Sequence, residues 1–275
     1  PFNPNRTKES KAPGFTVPRL KLDNFLFEKM ATPYCTIYQQ AKVNSIDNGN
    51  DQVRVSMTHD GTDYEITAPV IVGADGDKSM VRKKMLSEQT SPKTNAVGLR
   101  AYYSGVKGLH PENFIELHFL PEMLPGYLWI FPLQGGMANV GVGILSERIR
   151  KKKINLREQM LKAISSNQQI APRFAQATLN GSIQGWGLPL GMQRQPISGD
   201  NFMLAGDAAC LIDPFSGEGI GNALYSGMLA AAAIKEAVAQ NNFTAAFLTA
   251  NYDDVVYKRL GEELKLSTTL QRLCQ

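Results

Sequence analysis

Two short apolar runs set the tightest limits on this chain. Pro69-Val70-Ile71-Val72 and Phe202-Met203-Leu204-Ala205 each stop at a glycine close to an aspartate, in Gly73-Ala74-Asp75-Gly76 and Gly206-Asp207. Unbroken apolar runs of this length suit strands buried on both faces, as in parallel sheets. In such sheets ligands sit beyond the carboxyl ends of the strands. A glycine there lets the backbone approach a ligand closely. An aspartate there would repel a phosphate but accept hydrogen bonds from sugar-like hydroxyls. A single Asp-Gly pair is more often a plain turn. Two strand ends of this kind, separated by a long β-like stretch, are more specific.

Three short β runs precede the first strand end: Thr36 to Ser45, Gln52 to Met57 and Asp63 to Thr67. The clusters Asp47-Asn48-Gly49-Asn50 and His59-Asp60-Gly61 between them are hairpin turns, so a meander is expected. Ala96 to Val106, Phe114 to Leu120, Tyr127 to Leu133 and Ala138 to Leu145 form a second β layer, with a further irregular β stretch near Gly185 to Leu190. Helices are expected from Arg19 through Met30, from Arg148 to about Ile164, from about Gly219 to Ala239, and as a pair within 243–270. The fold class is therefore α/β (α+β overall). The chain leaves a nucleotide-binding layer and returns to it. Residues 1–91 and 196–275 are its two parts, and residues 92–195 are an inserted, mainly antiparallel β domain that covers the substrate.

Composition excludes several classes. A net charge of +4 gives no reason to expect nucleic acid, and no recognition motif for one occurs. The basic run Arg148, Arg150, Lys151, Lys152 and Lys153 reads first as a solvated helix face. The sharper alternative is a surface meeting anionic lipid, as a peripheral membrane contact, or a phosphorylated substrate. Cys35, Cys210 and Cys274 are odd in number and far apart, which points to a reducing, cytoplasmic compartment. His59, His110 and His118 do not cluster with cysteines or carboxylates, so no metal site is expected. The longest uncharged apolar stretch, Gly219 to Ile234, is short for a bilayer span and contains Asn222 and Ser226. It reads as a buried helix.

Two local patterns carry chemistry. Gly217-Glu218-Gly219-Ile220-Gly221 opens the Ala-rich helix, and bare amides at a helix N-terminus attract negative charge. The plainer reading is a helix start with glycines for packing. Strand alternation puts Tyr127, Trp129 and Phe131 on one face. That row is either the core of the β layer or the lining of an apolar tunnel. Cys210 beside the second strand end is read as a small buried residue, with a place facing the site as the alternative.

Gly206-Asp207-Ala208-Ala209, then Pro214, then Gly217-Glu218-Gly219-Ile220, resembles the second FAD motif of the para-hydroxybenzoate hydroxylase-like flavoproteins. Val72-Gly73-Ala74-Asp75-Gly76-Asp77-Lys78-Ser79-Met80-Val81-Arg82 resembles their Asp-Gly motif. Arg19 and Asp23, with Leu22 and Leu26, resemble their Arg-x-x-Phe-Asp-x-x-Leu stretch. Pro125-Gly126-Tyr127-Leu128-Trp129-Ile130-Phe131-Pro132 resembles the Tyr-x-Trp-x-Phe-Pro motif of the geranylgeranyl reductases within that class, and Asn139-Val140-Gly141-Val142-Gly143 follows at a similar place. The resemblance covers roughly residues 15–235. It implies that FAD is the cofactor and NAD(P)H the electron donor. Asp207, next to Gly206, would hold the ribityl chain. Gly219 and Ile220, beyond Gly217 and Glu218, would offer amides to the pyrimidine edge of the flavin, and Pro214 would lie near its face. Asp75 and Gly76 would support the pyrophosphate, and Arg19 and the backbone at Val43 would face the nucleotide half. Tyr127, Trp129, Phe131 and Pro132 would bind an isoprenoid or lipid-like substrate.

The resemblance also implies a strand, a Gly-x-Gly-x-x-Gly turn and a helix upstream, and no such unit occurs in this sequence. The chain is therefore read as lacking that N-terminal segment and as a weak FAD binder on its own. The leading expectation is reduction of carbon–carbon double bonds in a prenyl chain. A flavin monooxygenase of the same fold and a non-catalytic fragment are the alternatives. No catalytic acid is assigned.

Overall fold

The computed structural model describes residues 16–49, 51–87 and 91–273. Its elements run α1 (Arg19–Met30), β1 (Lys42–Asn48), β2 (Val53–His59), β3 (Thr62–Ala68), β4 (Ile71–Gly73), α2 (Met80–Leu86), β5 (Asn95–Ser104), β6 (Glu116–His118), β7 (Tyr127–Leu133) and β8 (Met137–Leu145). There follow α3 (Ser146–Lys152), α4 (Leu156–Ser166), α5 (Ala171–Phe174), β9 (Thr178–Pro189), β10 (Ser198–Gly199), β11 (Phe202–Leu204), α6 (Ile220–Gln240), α7 (Ala245–Leu248) and α8 (Asp254–Leu273).

β1, β2 and β3 form an antiparallel meander. Asp60 and Gly61 both take positive φ at its second turn, the conformation that a two-residue hairpin needs. The first turn includes Asn50, which lies outside the described residues. β4 and β11, the two apolar runs of the sequence, lie side by side and parallel, with β10 on the far edge of β11. They pack on the Ala-rich stripe of α6, where Ala230, Ala233 and Ala237 are buried, and on Val256, Leu260 and Leu264 of α8. Small residues on α6 let that helix come close to the sheet.

The third sheet is fully antiparallel, in the order β6-β7-β8-β5-β9. One face carries Leu128, Ile130, Val140, Val142 and Ala101, packed against Leu156, Met160, Ala163 and Ile164 of α4. Burial of each large apolar side chain there contributes about 1.5–3 kcal/mol. A small third cluster of Ala96, Leu145, Leu190 and Ile212 joins this sheet to the segment after β11. Among the described residues, no helix is long and apolar enough to cross a membrane.

Three expectations need correction. The first strand starts at Lys42 rather than Thr36, because Gln40 takes a positive φ just before it. β4 is not buried on both faces. Among the described residues it is an edge strand, and Val72 is 36% exposed toward a cleft. The basic helix is two helices, α3 and α4, broken where Lys153 takes φ 52°. Asn155 then caps α4 by accepting a hydrogen bond from the Glu158 amide at 3.2 Å. The expected C-terminal helical pair is α7 and α8, joined by a π turn over Thr249–Asp253.

Candidate functional site

The segment after β11 is wound by its own hydrogen bonds. Gly206 turns the chain under α6 with φ 58°, and a Cβ on it would meet the Ala223 Cβ at 2.9 Å. Its amide donates to Ser226 Oγ at 3.0 Å. Asp207 follows on a short 3-10 turn and faces the cleft. Burial raises its carboxyl pKa above the usual range, and Asp77 adds to this. Arg19, across the cleft, opposes it.

The buried Arg82 of α2 holds this turn from behind. It donates through Nη2 to Asp207 O at 3.2 Å and through Nη1 to Cys210 Sγ at 2.6 Å. Burial pushes the Cys210 thiol pKa up, against the pull of the Arg82 charge. Cys210 thus lies behind Asp207, and it does not line the cleft.

Further on, Asp213 Oδ1 accepts from the amides of Phe215 (3.1 Å) and Ser216 (2.7 Å) and from Ser216 Oγ (2.7 Å). Glu218 Oε1 then caps α6 at the Gly221 amide, 2.8 Å away. The Ile220 amide, first in the helix, has no intrahelical acceptor by geometry and is available to a ligand. Gly219 must be bare: a Cβ there would sit 2.9 Å from Ile212 Cγ1 and 3.5 Å from Asp207 Oδ1. Carboxylate, bare glycine and helix terminus therefore meet at one point.

The opposite wall is the second face of the five-stranded sheet. Leu128 and Ile130 point into the core, so Tyr127, Trp129 and Phe131 point into the cleft. The aromatic row is thus cleft lining rather than core. Adjacent rings are 6.1 Å apart, and Phe119 extends the row 5.9 Å beyond Tyr127. Pairing sets Trp129 opposite Gly141 and Tyr127 opposite Gly143. A Cβ on Gly141 would collide with the Trp129 ring, so the indole lies flat across β8. Its Nε1 donates to Asn139 Oδ1 at 3.1 Å. The Tyr127 hydroxyl donates to Ser216 O and ties this wall to the first. Burial pushes its pKa up to about 12, with Asp213 adding to the rise, so it stays protonated as a tether.

The cleft between the walls measures about 2010 Å³. It is lined by Arg19, Gly76, Gly206, Asp207, Pro214, Gly217, Glu218, Gly219 and Ile220 of the expected cofactor residues, and by Tyr127, Trp129 and Phe131. Three other expected residues lie elsewhere. Asp75 turns away to cap α2, accepting from Ser79 Oγ (2.6 Å) and the Met80 amide (2.7 Å). Val43 of β1 packs against the core of the first layer. Pro132 is buried on the opposite face from Phe131. Sequence reasoning missed Arg100 and Gln184, which join β5 to β9 inside the cleft. Among the described residues no group of His, Cys, Asp or Glu could hold a metal ion.

This geometry fits a flavin nucleotide. A Cβ at Gly219 would intrude beside Asp207, Asp207 offers acceptors to hydroxyls, and the α6 terminus offers amides to a partly negative ring edge. The model of the FAD binding domain family matches residues 6–241. The chain is 29% identical to a digeranylgeranylglycerophospholipid reductase of Methanosarcina mazei, over 97% of this chain and 66% of that protein. It is 31% identical to the protein of the same name from Methanococcus aeolicus, over 98% and 67%. It spans about two thirds of the length of these relatives. A geranylgeranyl bacteriochlorophyll reductase-like protein from Thermoplasma acidophilum superposes with a TM-score of 0.80 at 23% identity, over 92% of this chain and 62% of that one.

Proposed function

Because the chain belongs to the FAD binding domain family, in its geranylgeranyl reductase branch, we propose that it forms the flavin- and substrate-holding part of an oxidoreductase that saturates carbon–carbon double bonds of an isoprenoid chain. NAD(P)H is the proposed source of electrons. Bound FAD supplies the hydride chemistry; the residues of this chain supply position and electrostatics.

Asp207 accepts hydrogen bonds from ribityl hydroxyls, and Arg82 fixes the turn that carries it. Gly219 and Ile220 would offer amides to the pyrimidine edge of the flavin, where the α6 terminus would stabilise negative charge by about 0.3–1 kcal/mol or more. Pro214, which lines the cleft, would stand beside the flavin ring. Gly76 gives the pyrophosphate room, and Asp75 acts one step back by fixing α2. Arg19 faces the nucleotide half. The observation that carries the substrate reading is the Tyr127, Trp129 and Phe131 row, turned into the cleft opposite Asp207. Such a wall suits a flexible apolar chain and holds it close to the flavin side, where orientation lowers the barrier.

The test is spectroscopic and then kinetic. The purified chain, titrated with FAD, is expected to perturb the flavin absorbance bands. After anaerobic reduction, a geranylgeranyl lipid is expected to restore the oxidised spectrum without oxygen. Oxygen uptake coupled to an aromatic substrate, with no response to prenyl compounds, would overturn the reading in favour of a monooxygenase. A protein that leaves FAD unchanged would mean that this chain does not hold the cofactor unaided.

A further inference from the structure

One cation inside the cleft is left over from the roles above. Arg100 lies in the middle of β5, on the cleft-facing side of the central part of the sheet. Among the described residues lining the cleft, it is the one charged side chain that the five-stranded sheet contributes. The other arginine there, Arg19, is paired with Asp23 at 2.9 Å. Arg100 pairs with no carboxylate among the described residues. It donates one hydrogen bond, from Nη2 to Gln184 Oε1 at 2.9 Å, and its guanidinium lies 4.9 Å from the Tyr102 ring centroid. A guanidinium has five N–H donors, so most of this fork stays open. Gln184 and Tyr102 hold its plane without neutralising it.

The sheet register locates this cation. Arg100 is opposite Gly141, which in turn is opposite Trp129. With strands about 4.8 Å apart, the Arg100 backbone stands about 10 Å from that of Trp129, and the indole laid over Gly141 fills the space between them, reaching toward Gly98 of β5. Gly98 belongs to the Tyr127 row, so Arg100 is also about 7 Å further along the sheet from the Ser216 tether. Of the carboxylates lining the cleft, Asp23 is paired with Arg19, Glu112 lies on the connection between β5 and β6, and Asp207 and Glu218 are at the other wall, near the α6 terminus. An anion on a substrate is repelled there and attracted at Arg100.

We propose that Arg100 binds the phosphate-type headgroup of the isoprenoid substrate and so sets which end of the chain enters the cleft. This rests on the isoprenoid reading above. The bidentate match between guanidinium and phosphate oxygens gives both affinity and direction. The chain then runs from Arg100 over the Trp129 indole, where that ring covers β8, to Phe131. Arg100 is a specificity residue: it discriminates a phosphorylated prenyl chain from the free alcohol and takes no part in hydride transfer.

The test is a set of titrations on the full chain with saturating FAD, followed by tryptophan fluorescence and calorimetry. The ligands are geranylgeranyl diphosphate, geranylgeraniol, hexadecyl phosphate and inorganic diphosphate. Wild type is expected to prefer the diphosphate ester over the alcohol by about thirtyfold, the range for charge-assisted hydrogen bonds. Arg100→Gln should bring that ratio near one, and Arg100→Lys should restore part of it. Gln184→Leu keeps the charge but frees the fork, and should reduce the ratio about threefold, so the proposal stays testable if Arg100→Gln folds poorly. An unchanged ratio in both Arg100→Gln and Gln184→Leu would overturn it. So would inorganic diphosphate binding as tightly as the ester, since that describes a free-phosphate site. Arg100-dependent binding of hexadecyl phosphate with no preference for prenyl chains would keep the headgroup role and sink the isoprenoid reading. No binding of any chain-bearing ligand would sink both.

Discussion

The two walls of the cleft are built by opposite means. The wall from Gly206 to Gly221 is backbone: its shape comes from turns, bare glycines and amides, and its side chains mostly tie the loop to itself. The wall from β5 to β9 is a regular ladder, and its shape comes from the side chains laid on it. A backbone wall tolerates almost no added atom, whereas a side-chain wall can be repaved without breaking its ladder. The first suits a cofactor of fixed shape, and the second suits a substrate that varies in length.

Mutations at each wall should separate these roles. The largest effect is expected from Gly206→Val. A side chain at φ 58° against Ala223 should destabilise the fold by about 3 kcal/mol and abolish FAD binding, read by thermal unfolding and flavin titration. A stable, FAD-binding Gly206→Val would break the contrast outright. Next is Arg82→Met, which leaves the apolar space filled but frees the Asp207 turn. We expect a loss of about 2 kcal/mol in FAD affinity with a smaller loss in prenyl affinity. Trp129→Ala should do the reverse, weakening prenyl-alcohol binding by about 1.5 kcal/mol and FAD binding by less. Equal losses in both ligands would mean that the walls are not separable.

The smallest effect is expected from Tyr127→Phe, which cuts the tether to Ser216 at a cost of about 1 kcal/mol. It also has a pH signature. The folded-state pKa of Tyr127 is raised to about 12, from an ordinary value of 10.0. Its contribution is therefore complete below about pH 10 and is lost as pH rises toward 12, because the unfolded chain ionises first. Denaturant midpoints should fall across that window and fall less steeply in Tyr127→Phe, with Tyr257 sustaining a similar slope in both.

The same contrast explains what could be read from the sequence. Asp213, Ser216, Glu218 and Gly221 bond within three residues of one another, so spacing alone carries that knot and the helix start after it. The cap of α4 lies in Asn155-Leu156-Arg157-Glu158, a capping spacing that the reading of one continuous basic helix passes over. Period two placed Tyr127, Trp129 and Phe131 on one face, but it could not say that Leu128 and Ile130 would take the core side against α4. An apolar run reads alike in an edge strand and a central one, so the run alone does not show that β4 pairs on one side only among the described residues. Arg100 with Gln184 and Arg82 with Cys210 are 84 and 128 residues apart, and no local pattern announces such pairs.

The Trp129 indole over Gly141 makes the floor of the cleft a borrowed one: its height is set by a ring from the neighbouring strand. A smaller residue at position 129 lowers that floor by about the thickness of a ring, some 3.5 Å, with every ladder hydrogen bond kept. The depth of the cleft above this floor can therefore drift by single substitutions, while the ladder and the opposite wall stay as they are.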